Sequence, residues 1–251
     1  MTPRPLPYST VCDLPGQAEA LTDFYAIVDR YPDAIKNQHA IRRWEYAMAL
    51  SALTGWQLAK VLPAIVAANE ARKVDGLCRT VSCAPSQICD VGGAGSNFWQ
   101  VLTEVTSEEI LLIDPKAPVS GKPAGRCRLY AGSVEEYAAN YPHGQFDILT
   151  CISVIEHVKE VRPFLRACHM LLKPGGLLFL TTDFWDADGP DTAHFHWMRE
   201  RIYTADSIRA LLISSHPLGF VSVGATDWHY HGPMVYDYSV ASLALVKKGT
   251  R

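Results

Sequence analysis

Residues 88–97, ICDVGGAGSN, concentrate side chains and backbone whose types and spacing could bind a charged ligand. A short apolar run, 88–91, carries one acid, Asp90. Small residues follow at once: Gly92, Gly93, Ala94, Gly95 and Ser96. Phe98, Trp99, Val101 and Leu102 then recur at helical spacing. A strand, a glycine turn and a helix, in that order, open the nucleotide site of a doubly wound α/β domain. Glycine lets the backbone come close to a ligand and adopt positive φ. The free N–H groups of the following helix attract a carboxylate or a phosphate. Gly93 and Gly95 supply the first two positions of the dinucleotide pattern G-x-G-x-x-G, but the third falls on Phe98. Asp90, Gly92, Ala94 and Ser96 fall instead on D-x-G-x-G-x-G, with its second and third glycines replaced by small residues.

A site of this kind needs partners at the ends of neighbouring strands, because ligands of such sheets bind at the carboxyl ends near the topological switch. Asp114 ends the apolar run 110–113 and stands about 20 positions after the last glycine, where an acid can accept from both ribose hydroxyls. Ser133 and Val134 follow a run at 127–130. Cys151, Ser153, Glu156 and His157 close and follow a run at 146–152.

The elements that must position these residues alternate. Strands are predicted at 88–91, 110–113, 127–130, 146–152, 177–182, 221–225 and 239–246. Helices are predicted near 135–140, at 161–172 and at 203–215. This alternation implies a mainly parallel sheet with right-handed crossovers and helices on both faces. The last two strands have no helical pattern between them and could form an antiparallel pair. Ahead of the glycine turn, prolines at 3, 5, 7 and 15 suggest an extended arm. Helical stripes follow at 19–31, ended by Pro32, at 38–53, and at 56–71 with an interruption near Pro63. Residues 1–80 are expected to form an arm and a helical cap, and residues 81–251 the ligand-binding core. In the charged stretch Arg42-Arg43-Trp44-Glu45 the simplest expectation places Trp44 in the core and the charges in water. The alternative brings Trp44 or Glu45 to the ligand cleft.

Asp90 with its glycine turn resembles motif I of the class I S-adenosylmethionine-dependent methyltransferases. The segment from Phe146 through Glu156-His157-Val158 and the turn Lys173-Pro174-Gly175-Gly176 resemble that family's later motifs, in the correct order. The chain is identified by this resemblance as type 11-like. The resemblance implies a seven-stranded Rossmann-like fold with an antiparallel last strand and a bound S-adenosylmethionine. It assigns the cofactor to Asp90, Gly92, Gly93, Ala94, Gly95, Asp114, Ser133, Val134, Cys151 and Ser153. Asp90 is then expected to help hold the methionine end, and Ser133 and Val134 the adenine. Some relatives that methylate quinone precursors hold a divalent ion through an additional acid. The comparable position here is Ser153, and Glu156 with His157 would be short of ligands, so no metal is expected.

Methyl transfer from a sulfonium needs alignment and water exclusion, and a base only where the acceptor must lose a proton. His157 is the first candidate base, since an unperturbed imidazole titrates near ~6.5. Glu156 could orient it or replace it, and His196 is the reserve. Acceptor specificity in the family usually lies after the fifth strand, here residues 183–197, DFWDADGPDTAHFHW. Asp183, Trp185, His194 and His196, with Phe184, Phe195 and Trp197, suit a polar ring such as a sugar or a glycosylated metabolite. The chief rival acceptor is a phenol. A non-catalytic S-adenosylmethionine binder and an NAD(P)-dependent oxidoreductase also stay open. The pairs His194/His196 and His229/His231 would share a face if they lay in strands.

Composition narrows the classes. The chain has 251 residues, a net charge of −3 and 48% hydrophobic residues, enough for a sizeable core. The charge balance disfavours nucleic acid as a partner, and the expected partner is a small-molecule substrate. No apolar run resembles a signal peptide or reaches the ~20 residues of a membrane span. Seven cysteines, several inside apolar runs, suit a reducing, cytoplasmic setting. Cys78, Cys83 and Cys89 lack C-x-x-C spacing. The oligomeric state is open.

Overall fold

The computed structural model describes residues 9–10, 12–35, 40–70, 86–117, 125–185, 202–224, 226–228 and 239–249. The N-terminal elements are β1 (Ser9–Thr10), α1 (Leu14–Gln17), α2 (Thr22–Val28), α3 (Pro32–Ile35) and α4 (Ala40–Glu70). The alternating part follows as β2 (Ile88–Val91), α5 (Phe98–Leu102), β3 (Ile110–Ile113), β4 (Cys127–Tyr130), α6 (Val134–Asn140), β5 (Phe146–Cys151), α7 (Val161–Leu171) and β6 (Leu172–Phe184). The chain closes with α8 (Ala205–Ser215), β7 (Phe220–Ser222), β8 (Thr226–Asp227) and β9 (Ser239–Lys247).

Seven strands form one sheet in the order β4-β3-β2-β5-β6-β9-β7. Strand β9 runs antiparallel to both β6 and β7, and the other pairs are parallel. The predicted antiparallel pairing of the last two sheet strands is therefore observed. The chain leaves β2 toward β3 and β4, then returns to place β5 on the other side. The switch point of this Rossmann-like sheet thus lies between β2 and β5, at the carboxyl end of Asp90's strand.

Alternation along each strand builds two cores. Ile88, Ile110, Leu112, Ile148, Leu177 and Phe179 pack with the N-terminal helices and α5. Cys89, Leu111, Ile113, Leu149, Leu178 and Leu180 pack with α6, α7 and α8. Burial on both faces explains why these strands read as continuous apolar runs rather than alternating ones. Capping boxes start two of the helices: Ser133 with Glu136 at α6, and Thr204 with Ser207 at α8.

The N-terminal third departs from its predicted form. The stripes at 38–53 and 56–71 are one helix, α4, which runs through Gly55 and Pro63. Proline inside a helix costs about 3 kcal/mol in the absence of compensation. The first half of α4 compensates by packing: Trp44, Tyr46, Ala47, Met48, Leu50 and Leu53 are fully buried between the sheet and α2. Pro32 does not close a helix. It opens α3, since its fixed φ and missing N–H suit the first helical position. Residues 14–17 form a helical turn with Pro15 in that turn. The Lys173-Pro174-Gly175-Gly176 stretch falls inside β6, where the pairing with β5 shifts register between Phe146 and Ile148. Gly175 there has φ 74° and its carbonyl accepts from Nε1 of Trp56, which ties α4 to the amino edge of the sheet.

Candidate active site

The glycine turn is shaped by two contacts. Gly92 sits in the left-handed region at φ 79°, and a Cβ there would lie 2.4 Å from Cγ2 of Val154. Its N–H donates to the carbonyl of Ile113, so the turn is fixed to the end of β3. A Cβ on Gly93 would lie 1.8 Å from Oδ2 of Asp90. A Cβ on Gly95 meets nothing within 4 Å, which marks the open side of the turn. Gly93–Gly95 form a single helical turn, and Asn97 at φ 53° leads into α5.

Asp90 lies beneath this turn, 1% exposed. Oδ1 accepts from Oγ1 of Thr150 at 2.6 Å, while Oδ2 is buried without a hydrogen-bond partner among the described residues. Burial raises its carboxyl to about 7, against the Thr150 hydrogen bond, with the negative charge of Asp114 adding to the rise.

Asp114 stands at the carboxyl end of β3, 8% exposed. Its Oδ2 accepts from the N–H of Ala94 at 3.2 Å and its Oδ1 from the N–H of Lys116 at 2.7 Å. It therefore braces the glycine turn and its own Pro115 turn together. A carboxylate has about four acceptor positions, so capacity remains for hydroxyls.

These residues border a cleft of about 440 Å³, within the range of small-molecule sites (~300–1,000 Å³). Its lining includes Gly92, Ala94, Gly95, Ser96, Asp114, Ser153, Val154, His157 and Arg42. The structure thus brings the glycine turn, Asp114, Ser153 and His157 to one cleft. The other expected site residues among those described are not part of this lining. Cys151 is fully buried in the core, and burial keeps its thiol protonated. Val134 is packed in the same core, and the Ser133 hydroxyl caps α6 by accepting from the N–H of Glu136. Glu156 is 4% exposed and faces Thr182, whose hydroxyl donates to it at 3.3 Å. Burial, with the charge of Asp183 beside it, holds the Glu156 carboxyl well above the usual carboxylate range. Asp183 and Trp185 are both buried, and the Trp185 N–H donates to the carbonyl of Tyr203. Phe184 is enclosed in the core and is not available as a ring platform. His194 and His196, with residues 186–200, lie outside the described residues, as do His229, His231, Cys78 and Cys83.

Two residues of the charged stretch, for which the simplest expectation was a place in water, are drawn inward. Glu45 is 1% exposed. Its Oε1 accepts from Oγ of Ser153 at 2.6 Å and from Oγ1 of Thr181. Its Oε2 pairs with Arg42 at 2.9 Å. Arg42 lines the cleft. Burial opposes its charge, but Glu45, Tyr46, Glu156 and Asp183 together hold the guanidinium above its ordinary range. Only Arg43 follows the expectation of a solvated charge, in an exposed pair with Asp29. The signal for Glu45 was present as charge beside a buried tryptophan, but its partners are 108 and 136 positions away.

The donor set fits S-adenosylmethionine. The guanidinium of Arg42 suits its carboxylate, Asp114 suits its ribose hydroxyls, and Oδ2 of Asp90, without a hydrogen-bond partner among the described residues, offers a polar contact beneath the turn. Among the described residues no group of three metal-ligating side chains converges, and no helix is long and apolar enough to cross a membrane.

Comparison with known proteins agrees. A family model described as "Methyltransferase domain" matches residues 58–215. The chain belongs to this family, within the class I S-adenosylmethionine-dependent methyltransferases. It is 37% identical over 107 residues to a ubiquinone biosynthesis O-methyltransferase of Xanthomonas euvesicatoria pv. vesicatoria, covering 39% of this chain and 44% of that protein. It is 33% identical over 121 residues to the protein of the same description from Dechloromonas aromatica, covering 44% and 50%. The chain thus spans about half the length of these relatives, and shorter stretches of others. Among solved structures, a Burkholderia thailandensis 1,6-didemethyltoxoflavin-N1-methyltransferase with bound S-adenosylhomocysteine matches with a TM-score of 0.51 at 17% identity, over 99% of this chain and 93% of that one. The [4+2]-cyclase SpnF matches with a TM-score of 0.52 at 19% identity, over 68% and 79%. At these identities the likeness is one of fold, and a fold hosts more than one chemistry.

Proposed function

We propose that this protein transfers a methyl group from S-adenosylmethionine to a hydroxyl of a small polar ring, a sugar or a glycosylated metabolite. The observation that carries the reading is His157 on the wall of the cleft that also holds the glycine turn and Asp114. When bound, the cofactor supplies an electrophilic methyl group on a sulfonium. The chain's tasks are then to grip both ends of the cofactor, exclude water and receive one proton. Asp114 accepts from the ribose hydroxyls. Arg42 holds the carboxylate. His157 takes the acceptor's hydroxyl proton as the new oxygen–carbon bond forms, which raises the nucleophilicity of an oxygen that is otherwise a weak attacker.

A second reading, transfer to a phenol, gains from the relatives described as O-methyltransferases of ubiquinone biosynthesis. The burial of Phe184 and Trp185 removes two stacking platforms for either ring and does not separate the two readings. A panel of sugars, nucleotide sugars and phenols, assayed by release of the demethylated cofactor, separates the two. Turnover on sugars and not phenols supports the first reading. Turnover on phenols alone replaces it with the second.

A further inference from the structure

Glu45 belongs to α4, yet its carboxylate reaches the carboxyl ends of β5 and β6. It gathers three donors there. The Ser153 and Thr181 hydroxyls donate to Oε1, and the Arg42 guanidinium faces Oε2 at 2.9 Å. Ser153 is one of two described non-glycine residues with positive φ, at 50°. Its N–H donates to Oγ1 of Thr181 at 2.9 Å, so the Thr181 hydroxyl accepts from Ser153 and donates to Glu45. A residue in the left-handed region persists only where its surroundings over-determine it. Here Ser153 is held at both its backbone N–H and its side chain. A buried carboxylate whose two oxygens are both engaged also fixes where its cation can sit. Arg42 lies one turn before Glu45 on the same helix and projects into the cleft that Ser153 lines from the opposite element.

We propose that Glu45 is a positioning residue: it holds the Arg42 guanidinium and the Ser153 turn in the places from which they grip the amino-acid end of the cofactor. This rests on the reading of the cleft as the S-adenosylmethionine site. Glu45 itself touches neither the cofactor nor the acceptor. The alternative role, a polar peg that only fastens α4 to the sheet, would affect every ligand of the cleft alike.

Glu45→Gln separates the two roles. Glutamine keeps an acceptor for Ser153 and Thr181 but turns an amide toward the guanidinium, so Arg42 loses its anchor. Binding is measured by calorimetry for two ligands on the full chain. S-adenosylhomocysteine carries the amino-acid end, and methylthioadenosine has the same nucleoside and sulfur without it. E45Q is expected to weaken S-adenosylhomocysteine by roughly 10-fold or more while changing methylthioadenosine less than about 2-fold. In the background of Arg42→Gln, adding E45Q is expected to cost little more, because the residue acts through Arg42. Equal losses for both ligands, no loss for either, or independent and additive losses in the double variant overturn the proposal. Wild-type protein that binds neither ligand overturns the site assignment and this proposal with it. A melting temperature for E45Q near that of the wild type shows that the readout comes from folded protein. If E45Q fails to fold, the same ligand pair on R42Q decides: equal losses there remove the grip that Glu45 is said to serve.

Discussion

A methyl group at Gly93 would sit 1.8 Å from Oδ2 of Asp90, which has no hydrogen-bond partner among the described residues. The strand acid and the second glycine of the turn therefore occupy each other's only space. At this position glycine is needed for lack of volume, and the backbone makes no demand for positive φ. Gly93→Ala is expected to push the Asp90 carboxylate off its bond to Thr150 and to destabilise the fold by about 1–3 kcal/mol. Gly95→Ala, facing open space, is expected to leave stability within about 0.5 kcal/mol and to weaken cofactor binding instead. Urea denaturation with a parallel binding titration checks both. Equal stability of the two variants contradicts the assignment.

Asp90 also predicts a pH dependence. Its carboxyl is raised by burial to about 7 in the folded chain, above the ordinary value of 3.8. Between those values the unfolded state releases this proton and the folded state keeps it. The contribution of Asp90 to stability is thus full below pH 4 and is lost as pH rises through about 7. Asp90→Asn removes the titration. The stability of the wild type relative to D90N is expected to fall by about 2–3 kcal/mol between pH 5 and pH 8. A difference that is flat, or that rises with pH, shows that Asp90 is ionised in the folded protein.

His157 lines the cleft from the turn after β5. His157→Ala is expected to lower kcat by about 10²–10⁴-fold while leaving S-adenosylhomocysteine affinity nearly intact. Single-turnover kinetics and a binding titration measure the two separately. Wild-type turnover in the variant would mean that alignment alone suffices.

Much of this arrangement could be read from local pattern. The strands 88–91, 110–113 and 127–130 match their predicted bounds, because short apolar runs ended by Asp114-Pro115 and Gly132 leave little choice. The glycine turn, Asp114, Ser153 and His157 were expected at one site from their strand-end positions and from the family resemblance, and they line one cleft. The Cys151 side chain could not be placed from sequence, because a strand-end residue faces either core or cleft by parity, and its parity follows Leu149 into the core. Helix α4 failed because Gly55 and Pro63 locally argue for a break that tertiary burial of its first half overrides. Arg42 was placed in water and Glu45 only offered as an alternative for a further reason. Their meaning lies in contacts with Ser153 and Thr181 that only the folded sheet creates.

Calorimetric titration of S-adenosylhomocysteine into wild type and Asp114→Ala, with NAD(P) as the control, tests most directly whether the cleft is a cofactor site in which Asp114 takes part. The wild type is expected to bind S-adenosylhomocysteine and to give no heat with NAD(P). D114A, which loses the acceptor for the ribose hydroxyls and the brace on Ala94, is expected to bind more weakly by roughly 1.5–3 kcal/mol. Binding of NAD(P) with S-adenosylhomocysteine silent, or unchanged affinity in a folded D114A, would contradict the account.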